Sequence, residues 1–374
     1  MPEVPLSAPA DPAPEDSVRF PDNPVLVALT RGEAIESFHR GAAIALRADG
    51  RPVLAWGDVE RPVFARSALK PIQALPLLEA LPDAPDLTAE RIALHTASHG
   101  GWPMHVDRIR AWLAAMGLTE ADLECGGRDW PLDPEATRDL ARRGGAPGPA
   151  HHNCAGQHTG FLRLALALGA PTAGYSRADH AVQQAVTAVL GDLTDIDMET
   201  VPWGVEGCGI PSPALPLWAV ALGTARLADP SGLEPARAGA ANRLRAAMAA
   251  CPDLVAGPGS CDSRVIRATG GRVLVKRGAE GVMVALLPEP GLGVALKIDD
   301  GAARAAEVAL GLVLETLGVL TADERAALAD LFQPALTNAA GQETGRTVPV
   351  LPPEAADDDE PLGDPWDEDW DDED

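Results

Sequence analysis

The stretch Arg66-Ser67-Ala68-Leu69-Lys70-Pro71 decides how the rest of the chain is read. Its core is Ser-x-x-Lys. If Ser67 opens a helix, Lys70 lies one turn later on the same face, because residues three apart are neighbours on a helix. A serine hydroxyl is a weak nucleophile until an adjacent base takes its proton. Lysine serves as that base when burial or nearby positive charge lowers its pKa. Arginine stays protonated and cannot. Of the 30 basic residues in this chain, only Lys70, Lys276 and Lys297 are lysine; the other 27 are arginine. Where a plain positive charge suffices the chain uses Arg, so a lysine three residues after a serine reads as chemistry. The other reading of the same residues is a helix start with Ser67 as its cap.

Two later segments extend the pattern. Thr96-Ala97-Ser98-His99-Gly100-Gly101 follows the apolar Ile92-Ala93-Leu94. Its small residues permit close backbone approach to a ligand; a polar turn between helices is the plainer reading. Val273-Leu274-Val275-Lys276-Arg277-Gly278 places Lys276 at the end of a β-branched run, where an ordinary edge-strand lysine also fits. Penicillin-recognising serine enzymes carry Ser-x-x-Lys on a helix, a second serine on a loop and Lys-x-Gly on the edge strand of a sheet. This chain offers Ser67/Lys70, Ser98 and Lys276/Gly278 in that order, which is a far more specific signal than any one of them.

A fourth constellation is His151-His152-Asn153-Cys154-Ala155-Gly156-Gln157-His158, with a second thiol in Gly207-Cys208-Gly209. Cys154 and His158 are four apart and can face one site. Two cysteines and a histidine suit zinc. Two buried free thiols are the alternative.

The flanking sequence gives the architecture. Val25–Leu29, Ala42–Leu46 and Val53–Trp56 read as strands, with Asp49-Gly50 as a hairpin turn. Helical patterns follow over Ser67–Ala80, from Thr88, over Met104–Met116, Pro134–Arg143, Phe161–Leu168, His180–Leu190, Ala214–Leu227 and Ala236–Ala250. Strands return at Arg272–Lys276, Val282–Leu287 and Gly293–Ile298, and Ala302–Leu317 is a last helix. The order predicts an α+β fold: one antiparallel sheet built from both chain ends, flanked by helices, with a helical subdomain inserted at about 85–255. Residues 1–23 read as a disordered leader rich in Pro and acid, 24–320 as the catalytic domain, 321–353 as a C-terminal extension and 354–374 as a disordered acidic tail.

Charge and composition exclude some classes. The net charge is −25, and residues 354–374 alone hold 13 acids and no base, so without them it is −12. Such a balance disfavours nucleic acid and anionic membranes as partners. No apolar run approaches the ~20 residues of a membrane span, and no signal-like segment follows Met1. Five scattered cysteines (125, 154, 208, 251 and 261) with no Cys-x-x-Cys pair suit a reducing cytoplasm.

Taken together, these segments resemble the asparaginase II family, the Rhizobium etli-type L-asparaginases. The resemblance rests on Thr30-Arg31-Gly32, Glu36-Ser37 and His39-Arg40-Gly41. It continues through Arg66 to Leu77, Ala97-Ser98-His99 and His152-Asn153-Cys154-Ala155-Gly156, then Glu206-Gly207-Cys208 and Lys276 to Gly281. It covers about residues 25 to 320. It implies a fold similar to glutaminases and serine β-lactamases, and hydrolysis of L-asparagine to aspartate and ammonia by two pairs, Ser67 with Lys70 and Ser98 with Lys276. Arg66, His99, His158, Glu206 and Gly278 would line the substrate pocket, with backbone N–H groups near Ser67 and Gly278 as candidate oxyanion donors. It also implies a homodimer, and a zinc ion held by two cysteines, matching Cys154 and Cys208, and a lysine. That lysine is Gln157 here, and a neutral amide oxygen is a poor zinc ligand; zinc is expected to be weakened or absent. Two more departures are Glu206 for the usual Asp, and Gly101-Trp102 for Gly-Glu. A glutaminase, a penicillin-type serine hydrolase, and an amino-acid-binding relative without turnover remain as alternatives.

Overall fold

The computed structural model describes residues 22–127 and 130–353. The acidic tail, and the leader apart from its last two residues, lie outside them. Asn23 corrects the leader's boundary: it is buried, and its amide donates to Asp299 Oδ1 at 2.9 Å.

Eleven strands occur among the described residues: β1 (Val25–Arg31), β2 (Ala34–Arg47), β3 (Pro52–Trp56), β4 (Pro62–Phe64), β5 (Trp203–Val205), β6 (Pro211–Pro216), β7 (Leu274–Arg277), β8 (Val282–Leu287), β9 (Leu292–Ile298), β10 (Ala335–Thr337) and β11 (Glu343–Pro349). The main sheet runs β10-β11-β1-β2-β9-β8-β7, with β3 also on β2, and every pairing in it is antiparallel. Strands β1–β3 come from one end of the chain and β7–β11 from the other, which is the expected arrangement. The segment 321–353 is more than an appendage. It carries the helix Ala322–Phe332 and then β11, which pairs with β1 from Val27↔Pro349 to Leu29↔Thr347. A small second sheet, β4-β6-β5, was not expected from the sequence.

The period of two along a strand explains why the central sheet is apolar throughout. In β8, Val282, Val284 and Leu286 face one cluster, while Met283, Ala285 and Leu287 face the other. The first cluster continues without a break into the helical middle, through Ile72, Leu94, Trp112 and Phe161 to Val220 on the helix Leu217–Ala228. The second lies under the helices Cys261–Ala268, Ala303–Thr316 and Ala322–Phe332. No helix among the described residues is long and apolar enough to cross a membrane.

The segment 67–80 is not one helix. A 3₁₀ turn, Arg66–Leu69, leads into the short helices Lys70–Gln73 and Leu75–Ala80. Pro71 and Pro76 stand in the first turns of the two helices, where a missing N–H costs nothing but an ongoing helix is interrupted. Ser67 therefore caps no helix: Ala65 is the N-cap of the turn, without a side-chain bond.

Candidate active site

Four elements meet around Lys70. The 3₁₀ turn supplies Ser67 and Lys70, and Lys70 N–H bonds Ser67 O across it. Residues three apart eclipse in such a turn, so the two side chains leave on one side. Arg66, just before, has φ 56, a left-handed conformation that non-glycine residues adopt rarely and that clusters at functional sites.

Ser98 stands on the loop after the helix Ala89–His95. Backbone bonds clamp this loop: Ser98 N to Val255 O at 2.9 Å, His99 N to Asn153 O at 3.1 Å and Gly100 N to Ala256 O at 3.0 Å. Cys154 caps the helix Ala155–Ala167. That helix lies very close to Ala89–His95, because Gly160 leaves room for the His95 ring. The end of β7 brings in Lys276. Gly278 follows, and any Cβ there would lie 2.4 Å from Ala65 O, so only glycine lets this strand end rest on the Ser67 turn.

The Lys70 amine is buried and makes three contacts, to Ala97 O at 2.6 Å, Ser98 Oγ at 3.0 Å and Cys154 Sγ at 3.2 Å. The resemblance implied Ser67 for Lys70 and Ser98 for Lys276. The structure instead joins Lys70 to Ser98. Lys276 is fully buried and donates to Arg277 O at 2.8 Å. Burial pulls its amine down from the ordinary lysine value to about 7, opposed by the charge of Asp262 and assisted by Lys70.

Ser67, Ser98, His99 and Gly278 all line one cavity of about 760 Å³. Arg66, His158 and Glu206 do not line it. The Arg66 guanidinium is engaged by the Glu206 carboxylate. His158 is fully buried, 2.7 Å from Tyr175 Oη through Nδ1, and burial lowers it to about 3. Tyr175 Oη also accepts from Glu124 N at 2.8 Å, so this tyrosine ties His158 to the Glu124 backbone. The Gly278 N–H is also spent, on Val282 O at 2.8 Å, so it is no free oxyanion donor.

Sequence reasoning missed three residues. Asp262, at the start of the helix Cys261–Ala268, lies 3.7 Å from Lys276 Nζ and accepts from Arg277 N at 2.7 Å. His105 stacks on His99 at 4.8 Å, and burial foremost, with His105 next, holds His99 well below the usual histidine value. Asp133 accepts from the indole N–H of Trp102 at 3.1 Å and lines the cavity. None shares a motif with the residues it serves; Asp262 reads locally as a first-turn helix acid and nothing more.

Two thiols and an amide are grouped near Cys154. Cys154 and Cys208 are both buried, and their thiols interact with each other. The Cys208 thiol foremost, and then the Lys70 amine, draw the Cys154 thiol well below its ordinary value, while Cys208 moves up. Gln157 turns its amide N–H₂ to Gln73 Oε1 at 2.6 Å, and its own Oε1 is buried without a partner. No group of three His, Cys, Asp or Glu suited to a metal occurs among the described residues. The set does not fit the zinc site that the resemblance implies: Gln157 offers an amide where that site has a lysine, and the Lys70 amine already stands against Cys154 at 3.2 Å.

The sequence model of the family described as L-asparaginase II matches residues 27–349. Among curated proteins none matches the chain. Solved structures similar to it include a β-lactamase from Mycobacterium bovis, at 14% identity and TM-score 0.36, covering 78% of this chain and 95% of that one. A D-alanine carboxypeptidase from Burkholderia cenocepacia is similar at 13% identity and TM-score 0.34, covering 73% and 93%.

Proposed function

This chain belongs to the L-asparaginase II family, which is a family of hydrolases, and from that premise we propose that it hydrolyses the side-chain amide of L-asparagine to L-aspartate and ammonia. The observation that carries the reading is the 3.0 Å contact between the buried Lys70 amine and the Ser98 hydroxyl on the cavity wall.

In this reading Lys70 passes one of its protons to the Cys154 sulfur, keeps its bond to Ala97 O and, as the free amine, accepts the Ser98 proton. Ser98 Oγ attacks the amide carbon. The tetrahedral adduct collapses as Lys70 returns the proton to the leaving nitrogen, releasing ammonia and an ester on Ser98. Water then attacks the ester, Lys70 takes its proton, and Ser98 is reprotonated as aspartate leaves. Ser67 faces the same cavity and binds the substrate beside the attacked carbon. Lys276 is the second amine of the site, and it must be neutral for turnover because a second charge beside Lys70 would oppose the protonated intermediate. His99 presents a neutral ring to the cavity. No step runs through zinc.

The test is ammonia release by the purified protein from L-asparagine, L-glutamine and a penicillin, with metal content measured on protein made without chelator. Release from asparagine, unchanged by a chelator, with well under one zinc per chain, is expected. Release from glutamine alone would move the reading to a glutaminase, cleavage of the penicillin alone to a penicillin-type hydrolase, and binding without release to a non-catalytic amino-acid receptor. Stoichiometric zinc that survives dialysis would overturn the metal-free reading. The homodimer that the resemblance implies belongs to the same proposal, and sedimentation reads it.

A further inference from the structure

Asp262 is fully buried, and so is Lys276. A buried carboxylate is costly unless cations face it. Two do: Lys276 Nζ, 3.7 Å from Oδ1, and Arg277 Nε, 3.5 Å from Oδ2. Oδ2 has no hydrogen-bond partner. The helix start that carries Asp262 is rigidly held, since Ser263 Oγ donates to Pro252 O at 2.8 Å and accepts from Gly257 N at 3.2 Å. Cys261 and Val265 anchor the same helix in the second core cluster. The carboxylate therefore sits at a fixed point beside the last two residues of β7, Lys276 and Arg277.

We infer that Asp262 is the positioning residue of the second lysine: it anchors the Lys276 amine at the site and governs when that amine gives up its proton. The consequence for turnover rests on the amide-hydrolase reading; the effect on the proton does not. Other charges reach Lys276 as well. Lys70 and Arg277 favour its neutral form, and Cys154 favours the charged form. Glu307 lies behind, facing Arg277, Asp262 and Arg264, and Cys261 adjoins Asp262. Of these groups only Asp262 is at once fully buried, a carboxyl and within 4 Å of the amine.

A purely structural Asp262 would do no more than accept the Arg277 N–H. Asp262→Asn separates the two roles, because it keeps the acceptor and removes the charge. The chain has three lysines, so protein carrying [ε-¹³C]lysine gives three side-chain signals, which Lys276→Met and Lys297→Met assign. In Asp262→Asn the titration midpoint of Lys276 should fall by at least one pH unit from wild type, and the acid limb of kcat/KM should fall with it. Asp262→Glu, which restores the charge, should bring the midpoint back to within half a unit of wild type. A midpoint unmoved in Asp262→Asn overturns the inference. If Asp262→Asn does not fold, Arg277→Gln serves: with the competing cation gone, the midpoint should rise by about one unit, and no rise overturns the inference. Absence of any hydrolysis by wild type would sink the amide-hydrolase reading and leave the titration standing as the test of Asp262.

Discussion

At Lys70 three acceptors converge on one amine, and each constrains what the residue can be. A guanidinium could satisfy the same acceptors but would never take a proton. Lys70→Arg is therefore expected to lower kcat/KM by about 10²–10⁴-fold, the usual contribution of a positioned base, while the protein still unfolds in a single thermal transition. Ser98→Ala should lose as much, and Ser67→Ala nearly as much through substrate placement. Intact-mass analysis after mixing with asparagine should find the ester on the peptide that holds Ser98. An active Lys70→Arg protein, or an ester on Ser67, would require a different division of labour. The residues themselves were legible because Ser67 and Lys70 are local in sequence and lysine is scarce here. Their pairing was not: Lys70 and Ser98 are 28 apart, and a turn that puts Ser67 and Lys70 on one side says nothing about where a four-carbon side chain ends. Asp262 left no signal, because its partner lies on another element and its own surroundings are those of any helix start.

Elements show the same division between local and non-local. The strands β8 and β9 were legible because unbroken apolar runs bounded by glycine turns are what a sheet buried on both faces requires. The small strand β6 was not, since Pro211, Pro213 and Pro216 weaken any strand reading, and the helix expected from Ala214 begins only at Leu217. Helix contacts depend on glycines whose role appears only in three dimensions. A Cβ on Gly160 would sit 2.0 Å from His95 Nδ1, whereas one on Gly239, in the helix Pro235–Ala250, meets nothing within 4 Å. Opposite outcomes are expected from the same substitution. Gly239→Ala gains helix propensity and should stabilise by roughly 0.5–1 kcal/mol. Gly160→Ala gains the same propensity but overpacks a tight contact, which costs about 1–3 kcal/mol, so the net change is destabilising. It also pushes on the helix that ends just before Ser98, and turnover should fall with it. Urea midpoints moving in opposite directions would confirm this; two increases would mean that the helices are not in close contact.

Over the whole molecule, a sheet made from both chain ends makes the last described strand part of the fold. The segment Glu343-Thr344-Gly345-Arg346-Thr347 is polar and contains glycine, so it carries no strand signal of its own. Its reason to be a strand is the open edge of β1, more than 300 residues earlier. Val350 N bonds Leu26 O at 2.8 Å just beyond it, and Pro352 is buried. Ending the chain at 320 would uncover the β1 edge, a template for aggregation. Ending it at 353 is a different matter. That cut removes 13 acids and takes the net charge from −25 to −12, yet the described cavity wall runs from Ser67 to Glu307. The proposed substrate, asparagine, carries no net charge at neutral pH, so the protein's overall field does little to steer it, unlike a charged ligand. Deletion of 354–374 should therefore leave kcat/KM within about twofold at low salt, and adding salt should change neither protein's value by more than that, because screening acts only on a field that matters. A large loss on deletion that salt also produces in the full chain would mean that the acids act on the site electrostatically. A loss that salt does not reproduce would mean that the tail touches the site directly.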